Sequence, residues 1–185
     1  DFLSLSAHKL NGPKGIGALI YNPDLEVEPL QWGGGQERGL RPGTLPVPLI
    51  IGFAKAAELA ISDLASRSQR LEGLRNRLWE GLKQNQPTLL LNGHATARLP
   101  HNLNITIPGV SGSKLHRALR SRVACSSGSA CSRGEPSHVL MALGRSRQEA
   151  EASLRLSLGR SSTEHDIDQA VEAINDVIHQ LRHKA

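Results

Sequence analysis

Asn102-Leu103-Asn104-Ile105-Thr106-Ile107 places an apolar residue at every second position. That period belongs to a strand with one face in a core and the other against polar surroundings. Leu154-Arg155-Leu156-Ser157-Leu158 repeats it, with three leucines on one face and Arg155 on the other. Around these two segments the period changes. Gly112 and Ser113 precede a short helix carrying Leu115 and Leu119, and Val123 to Ser126 reads as another strand. Further on, Thr163 with Asp166 three residues later resembles a capping box, Asp standing in for Glu. Ile167, Ala170, Val171, Ile174, Ile178 and Leu181 then form the apolar face of a last helix.

Upstream, Ile50, Phe53, Ala54, Ala57, Ile61 and Leu64 recur at helical spacing, and Leu71, Leu74, Leu78 and Leu82 continue it. The pattern predicts one long helix, straight or bent, from about Pro48 to before Pro87. The first third reads as strands and loops. Ile16 to Tyr21 is an apolar run between Gly12-Pro13-Lys14-Gly15 and Asn22-Pro23-Asp24, as expected for a buried strand. Trp32 to Thr44 holds five glycines and a proline and is expected to be irregular. The alternation of helices and strands indicates an α/β or α+β sandwich, a small sheet covered by helices.

Composition narrows the function classes. Of 185 residues, 38% are apolar and 21% charged, which fits a globular chain. The longest apolar runs, such as Leu45 to Ala54, are broken by Pro46, Pro48 and Gly52. None approaches the roughly 20 residues that span a bilayer. We expect no signal peptide, since no basic segment leads into an apolar core. Cys125 and Cys131 are too few for a disulfide framework, so a reducing, cytoplasmic setting is expected. The net charge of +5 suits a solvated surface: aromatic residues are 3%, too few for base stacking, and no nucleic-acid or membrane partner is expected.

Three places carry chemistry. In Ser4-Leu5-Ser6-Ala7-His8-Lys9 a lysine at a strand end, partly desolvated, is a usable amine nucleophile. Ser6 and His8 offer hydrogen bonds to a phosphate. In Cys125-Ser126-Ser127-Gly128-Ser129-Ala130-Cys131-Ser132-Arg133-Gly134, Cys131 is expected on an accessible loop, with Arg133 favouring its thiolate. Arg155, turned from the leucine face, presents a fork suited to a carboxylate. Cys125 reads as a small buried strand residue. Cys125, Cys131, His116 and His138 have no recognised zinc-ligand spacing, so no metal is expected.

Taken in order, these segments resemble a known family. Ser6-Ala7-His8-Lys9 with Gly12-Pro13-Lys14-Gly15-Ile16-Gly17-Ala18-Leu19 resembles the cofactor-lysine segment of the NifS/IscS-like cysteine desulfurases. Gly33-Gly34-Gly35-Gln36-Glu37-Arg38-Gly39-Leu40-Arg41-Pro42-Gly43-Thr44 resembles their next signature. Ser126-Ser127-Gly128-Ser129-Ala130-Cys131 is similar to the active-site loop of their first group, and Leu154-Arg155-Leu156-Ser157-Leu158-Gly159 to the substrate-arginine strand.

The resemblance implies a fold-type-I, aspartate aminotransferase-like α/β architecture. Residues 1–62 would end the large domain that binds pyridoxal 5'-phosphate, and 63–185 would form the small C-terminal domain, with the helix from Pro48 bridging them. It implies that Lys9 holds pyridoxal phosphate, that Ser6 and His8 contact its phosphate, and that Thr44 reaches the phosphate of a homodimer partner's cofactor. Arg155 would bind the carboxylate of L-cysteine. Cys131 would collect the sulfur as a persulfide, release alanine and pass the sulfur to an iron–sulfur scaffold or another acceptor, a task suited to a flexible loop. Family members are far longer, and their N-terminal half supplies a ring-stacking histidine, a pyridine-nitrogen aspartate and a phosphate loop, none assignable here. The chain is therefore expected to be a fragment that needs that half. Pro42 stands where the family commonly has serine, and the stretch from Cys131 to Glu135-Pro136-Ser137 is shorter than usual. The rival expectations are a related lyase or aminotransferase acting on another substrate, such as selenocysteine, and an inactive module that binds a sulfur scaffold.

Overall fold

The computed structural model describes residues 1–128 and 135–183. Two compact units divide the chain, Asp1–Leu64 and Ala65–Ala185.

In the first unit, β1 (Phe2–Ser6) and β2 (Gly17–Tyr21) pair antiparallel, from Phe2 opposite Tyr21 to Ser6 opposite Gly17. The strand expected from Ile16 is present from Gly17, but it is exposed rather than buried. Leu19 is 52% and Ile20 55% exposed. A two-stranded ribbon has no second layer of its own, so an apolar run marks side chains suited to burial without supplying the cover. After β1 the chain turns at once into a 3₁₀ turn, Ala7–Leu10. Asn11 closes it in the left-handed region at φ 62, and the Gly12 N–H returns to the Ala7 carbonyl at 2.9 Å. Trp32 to Thr44 is irregular as expected, apart from a 3₁₀ turn at Gln36–Gly39. Glu37, Arg38, Gly39 and Gly43 all have positive φ.

The long helix is in fact two. Helix α1 (Val47–Ser62) carries Pro48 in its first turn, where the missing N–H costs no helical bond. Asp63 leaves helical geometry at φ −121, ψ 17, and α2 runs Leu64–Asn85. Aspartate competes with its own backbone for hydrogen bonds and disfavours helix interiors, a weak signal that apolar periodicity alone overrides.

The second unit holds the core. Strands β3 (Leu90–Leu91), β4 (Asn102–Thr106) and β5 (Ser153–Ser157) form an antiparallel sheet in the order β3-β4-β5. Leu103 and Ile105 of β4 and Leu154 and Leu156 of β5 are buried with Leu74, Leu78 and Leu82 of α2. Leu115 and Leu119 of α3 (Gly112–Leu119) and Ile174 and Ile178 of α6 (Glu164–His183) complete the cluster. Each such side chain contributes about 1.5–3 kcal/mol on burial. The capping box read at Thr163 is present: the Asp166 N–H donates to Thr163 Oγ1 at 3.2 Å, and the Thr163 N–H to Asp166 Oδ2 at 2.9 Å.

Val123 to Ser126 is not a strand. The Val123 N–H is taken by the Leu119 carbonyl at the end of α3, at 2.9 Å, and only Ser126 forms a bridge, to Arg155. Two short helices, α4 (His138–Ala142) and α5 (Arg147–Glu151), lie between there and β5. Five residues span too few turns to show a period, so neither is legible from spacing, although α5 begins with a full capping box between Ser146 and Glu149.

Candidate functional site

Ser6, His8 and Lys9 sit where β1 gives way to the 3₁₀ turn. Ser6 is the last strand residue, whereas His8 and Lys9 belong to the turn, which corrects the expectation of a lysine on the strand end. The cause is Ala7. It is fully buried, donates its N–H to the Ile16 carbonyl at 3.1 Å and accepts from Gly12, so the backbone is pinned between its neighbours. Lys9 is exposed rather than partly desolvated within this unit. Ser6 and His8 are exposed too, and none of the three side chains makes a hydrogen bond or ion pair with another described residue. A fixed turn thus displays a hydroxyl, an imidazole and a primary amine with their valences open.

Thr44 ends the irregular segment and is also exposed. Its approach is set by Gly43, at φ 114, whose N–H donates to Gln36 Oε1 at 3.1 Å. Pro42 is buried, and its carbonyl accepts from Arg41 Nη1 at 2.7 Å.

In the second unit, Arg155 lies on β5 between buried Leu154 and Leu156 and points to the opposite face, as alternation requires. Its residue is half-buried, and its guanidinium makes no hydrogen bond or ion pair with a described residue. On one side its backbone exchanges two bonds with Ser126: Arg155 N–H to Ser126 O at 2.7 Å and Ser126 N–H to Arg155 O at 3.1 Å. On the other side its cross-strand partner is Asn104. Ser126 Oγ is engaged locally, donating to the Gly128 carbonyl at 2.7 Å.

Beside Asn104 lies a polar cluster that spacing did not reveal. Asn92 is 4% exposed, Thr106 0% and Ser153 1%. Asn92 Nδ2 donates to Asn104 Oδ1 at 2.8 Å and to Thr106 Oγ1 at 2.9 Å. The Thr106 and Ser153 hydroxyls lie 2.7 Å apart, and Ser153 Oγ donates to the Glu149 carbonyl at 2.7 Å. Arg145 Nε donates to Asn92 Oδ1 at 2.6 Å, and Arg98 Nη2 donates to the Asn92 carbonyl. The alternation of Asn102, Asn104 and Thr106 with apolar residues marked this face as polar. What it lacked was the identity of the residues opposite, which only register supplies.

Cys131 and Arg133 lie outside the described residues. Cys125 is half-buried against the core, and burial pushes its thiol pKa up, which disfavours the thiolate. The small buried strand residue expected there is instead half-buried and lies off any strand. His116 is half-buried, its Nε2 atom is buried with no hydrogen-bond partner among the described residues, and burial lowers its pKa.

Against known proteins, residues 1–170 match the family described as aminotransferase class-V. The cysteine desulfurase IscS of Photorhabdus laumondii is 47% identical over 186 residues, an alignment covering 98% of this chain and 46% of that relative. The IscS of Aeromonas salmonicida is 46% identical with the same coverage. Among solved structures, a NifS-like protein superposes with a TM-score of 0.85 at 34% identity, over 98% of this chain and 47% of that one. A NifS-like protein from Rickettsia africae gives 0.85 at 30% identity, over 97% and 48%. The chain therefore spans about half the length of the relatives it matches, and its mixed α/β fold is that of the corresponding part of NifS-like proteins.

Proposed function

Because the chain belongs to the aminotransferase class-V family, we propose that it is the C-terminal part of a pyridoxal-phosphate-dependent cysteine desulfurase, a fragment whose chemistry needs the rest of the relatives' length. One observation carries the reading. The groups this chemistry asks of the described residues (an amine, two phosphate donors and a guanidinium) are Lys9, Ser6, His8 and Arg155, and none of the four side chains has a hydrogen-bond or ion-pair partner among the described residues. That donor set fits pyridoxal phosphate, whose aldehyde condenses with a primary amine and whose phosphate takes hydroxyl and imidazole donors.

When bound, the cofactor supplies a sink for the electron pair released as the substrate's Cα–H bond breaks. The chain's own residues do the rest. Ser6 and His8 hold the phosphate, and the pinned turn at Ala7 fixes where the Lys9 amine stands. Lys9 moves the Cα proton of L-cysteine. Arg155 binds its carboxylate in a fixed plane. The Cys131 thiolate attacks the substrate sulfur: an S–S bond forms, the substrate C–S bond breaks with its electron pair kept on Cβ, and protonation at Cβ and, from Lys9, at Cα lets alanine leave with a Cys131 persulfide in place. Residues 1–62 then belong to the large domain and 63–185 to the small one. Thr44 serves the neighbouring subunit of a cytoplasmic homodimer, and an iron–sulfur scaffold or another acceptor protein takes the sulfur.

The test uses the complete enzyme that contains this chain. Borohydride reduction followed by peptide mapping is expected to leave the cofactor on Lys9. Cys131→Ser is expected to retain cofactor absorbance while alanine formation from L-cysteine falls by at least about a hundredfold, as for loss of a nucleophile. A cofactor mapped to another lysine overturns the reading. Unchanged turnover in Cys131→Ser overturns desulfuration and favours a lyase acting on selenocysteine.

A further inference from the structure

We propose that Asn104 is a second carboxylate-binding residue beside Arg155, with its amide orientation locked by a chain that starts at Arg145. The inference rests on the reading of Arg155 as the carboxylate-binding group and goes beyond it.

Register sets the geometry. Asn104 and Arg155 are directly opposite on β4 and β5, so their side chains leave the same face of the sheet. Both backbone groups of Arg155 are spent on Ser126, away from β4, and the Asn104 carbonyl accepts from the Asn92 N–H at 2.9 Å, away from β5. The two residues therefore form a non-hydrogen-bonded antiparallel pair, the kind in which side chains stand closest, with Cα atoms about 4.5 Å apart.

Donor logic sets the chemistry. Arg145 can only donate, so the Asn92 amide must turn its oxygen toward Arg145 Nε. Asn92 Nδ2 then faces Asn104, which must answer with its own oxygen, and does so at 2.8 Å. A flipped Asn104 would set two donors against each other. Its Nδ2 is consequently on the free side, with no acceptor among the described residues. Next to it stands a guanidinium that also has none. Two donor groups side by side on one face, neither with an acceptor among the described residues, describe a site for an anion with two oxygens. Arg155 offers a fork and Asn104 an off-axis N–H that fixes the tilt of the bound carboxylate.

Asn104→Asp is the sharpest probe. It keeps the shape and the oxygen that accepts from Asn92, and replaces only the donor with an anionic oxygen beside Arg155. In the complete holoenzyme, spectral titration of the cofactor band is made with L-cysteine and with cysteamine, which lacks the carboxylate. Asn104→Ala is expected to weaken L-cysteine about tenfold, the worth of one hydrogen bond to a charged group, and to leave cysteamine unchanged. Asn104→Asp is expected to weaken L-cysteine further, with cysteamine again unchanged and the melting temperature preserved. Asn92→Ser, which frees the amide to rotate, is expected to give a smaller loss confined to L-cysteine. Equal losses for both ligands, or none for L-cysteine in either Asn104 variant, overturn the proposal. Arg155→Lys run in parallel separates the two ideas. If it weakens L-cysteine while the Asn104 variants do not, only Asn104 is misassigned; if it too has no effect, the reading of Arg155 falls as well.

Discussion

At the scale of single residues, the unit's buried polar groups are costly unless every one is answered. Thr106 is fully buried and bonded to both Asn92 and Ser153. Thr106→Val keeps the shape and removes the hydroxyl, leaving part of Asn92 and Ser153 without a partner. We expect a loss of about 1–3 kcal/mol in unfolding free energy, read from denaturant titration. A variant as stable as wild type would mean that water replaces the hydroxyl. Residue chemistry was the most legible layer of this sequence. Lys9, Arg155 and the cysteines stand out by type and neighbours as candidates for chemistry. Asn92 and Asn104 do not, because an asparagine on a polar strand face looks like any solvated residue until its partners across the sheet are known.

At the scale of elements, α2 and α6 are tied along their exposed edge by charge as well as by the core. Arg77 Nε and Nη2 each donate to an oxygen of Asp168 at 2.8 Å, and Nη1 donates to Glu164 at 3.0 Å. The Arg77 hydrogen bond holds the Asp168 carboxyl below its ordinary pKa, the Thr163 hydroxyl does the same for Asp166, and the Ser146 N–H for Glu149. Each folded pKa is depressed relative to the unfolded chain. The stabilisation is therefore complete above the ordinary carboxylate pKa of about 4 and is lost as pH falls through the lower folded values. The melting temperature is expected to hold between neutrality and about pH 5 and to drop below that. Asp168→Asn should lie below wild type at neutral pH and converge with it in acid; parallel curves would show that the pair contributes no pH dependence. Elements were legible in proportion to their length. The alternation in β4 and β5 and the apolar stripe of α6 were plain, and the run through α1 and α2 was readable but hid its break at Asp63. α4, α5 and β3 are too short to show a period. Val123 to Ser126 looked like a strand because its composition suits one, but the end of α3 claims the Val123 amide.

At the scale of the whole chain, the two units differ in what holds them. Residues Ala65–Ala185 contain the cluster of leucines and isoleucines, whereas in Asp1–Leu64 the buried residues among those described are Ala7 and Pro42. The sequence could name the fold through motif order, yet it could not say which apolar runs would be covered. Leu19 and Ile20 are as apolar as Leu103 and Ile105, and only the latter lie beneath helices. The paired bonds between Ser126 and Arg155 have one more consequence. Arg155 belongs to the β4–β5 ladder, but among the described residues its pairing with Ser126 is the single bridge on the other side of β5, so the amides of 126 and 155 are held by each other's carbonyls. In deuterium oxide the hydrogens at 126 and 155 are expected to wash out with a common time constant, and two clearly different constants would show that the bonds open separately. The stem of the serine-rich segment and the strand that presents Arg155 thus keep the same clock, although they lie far apart along the chain.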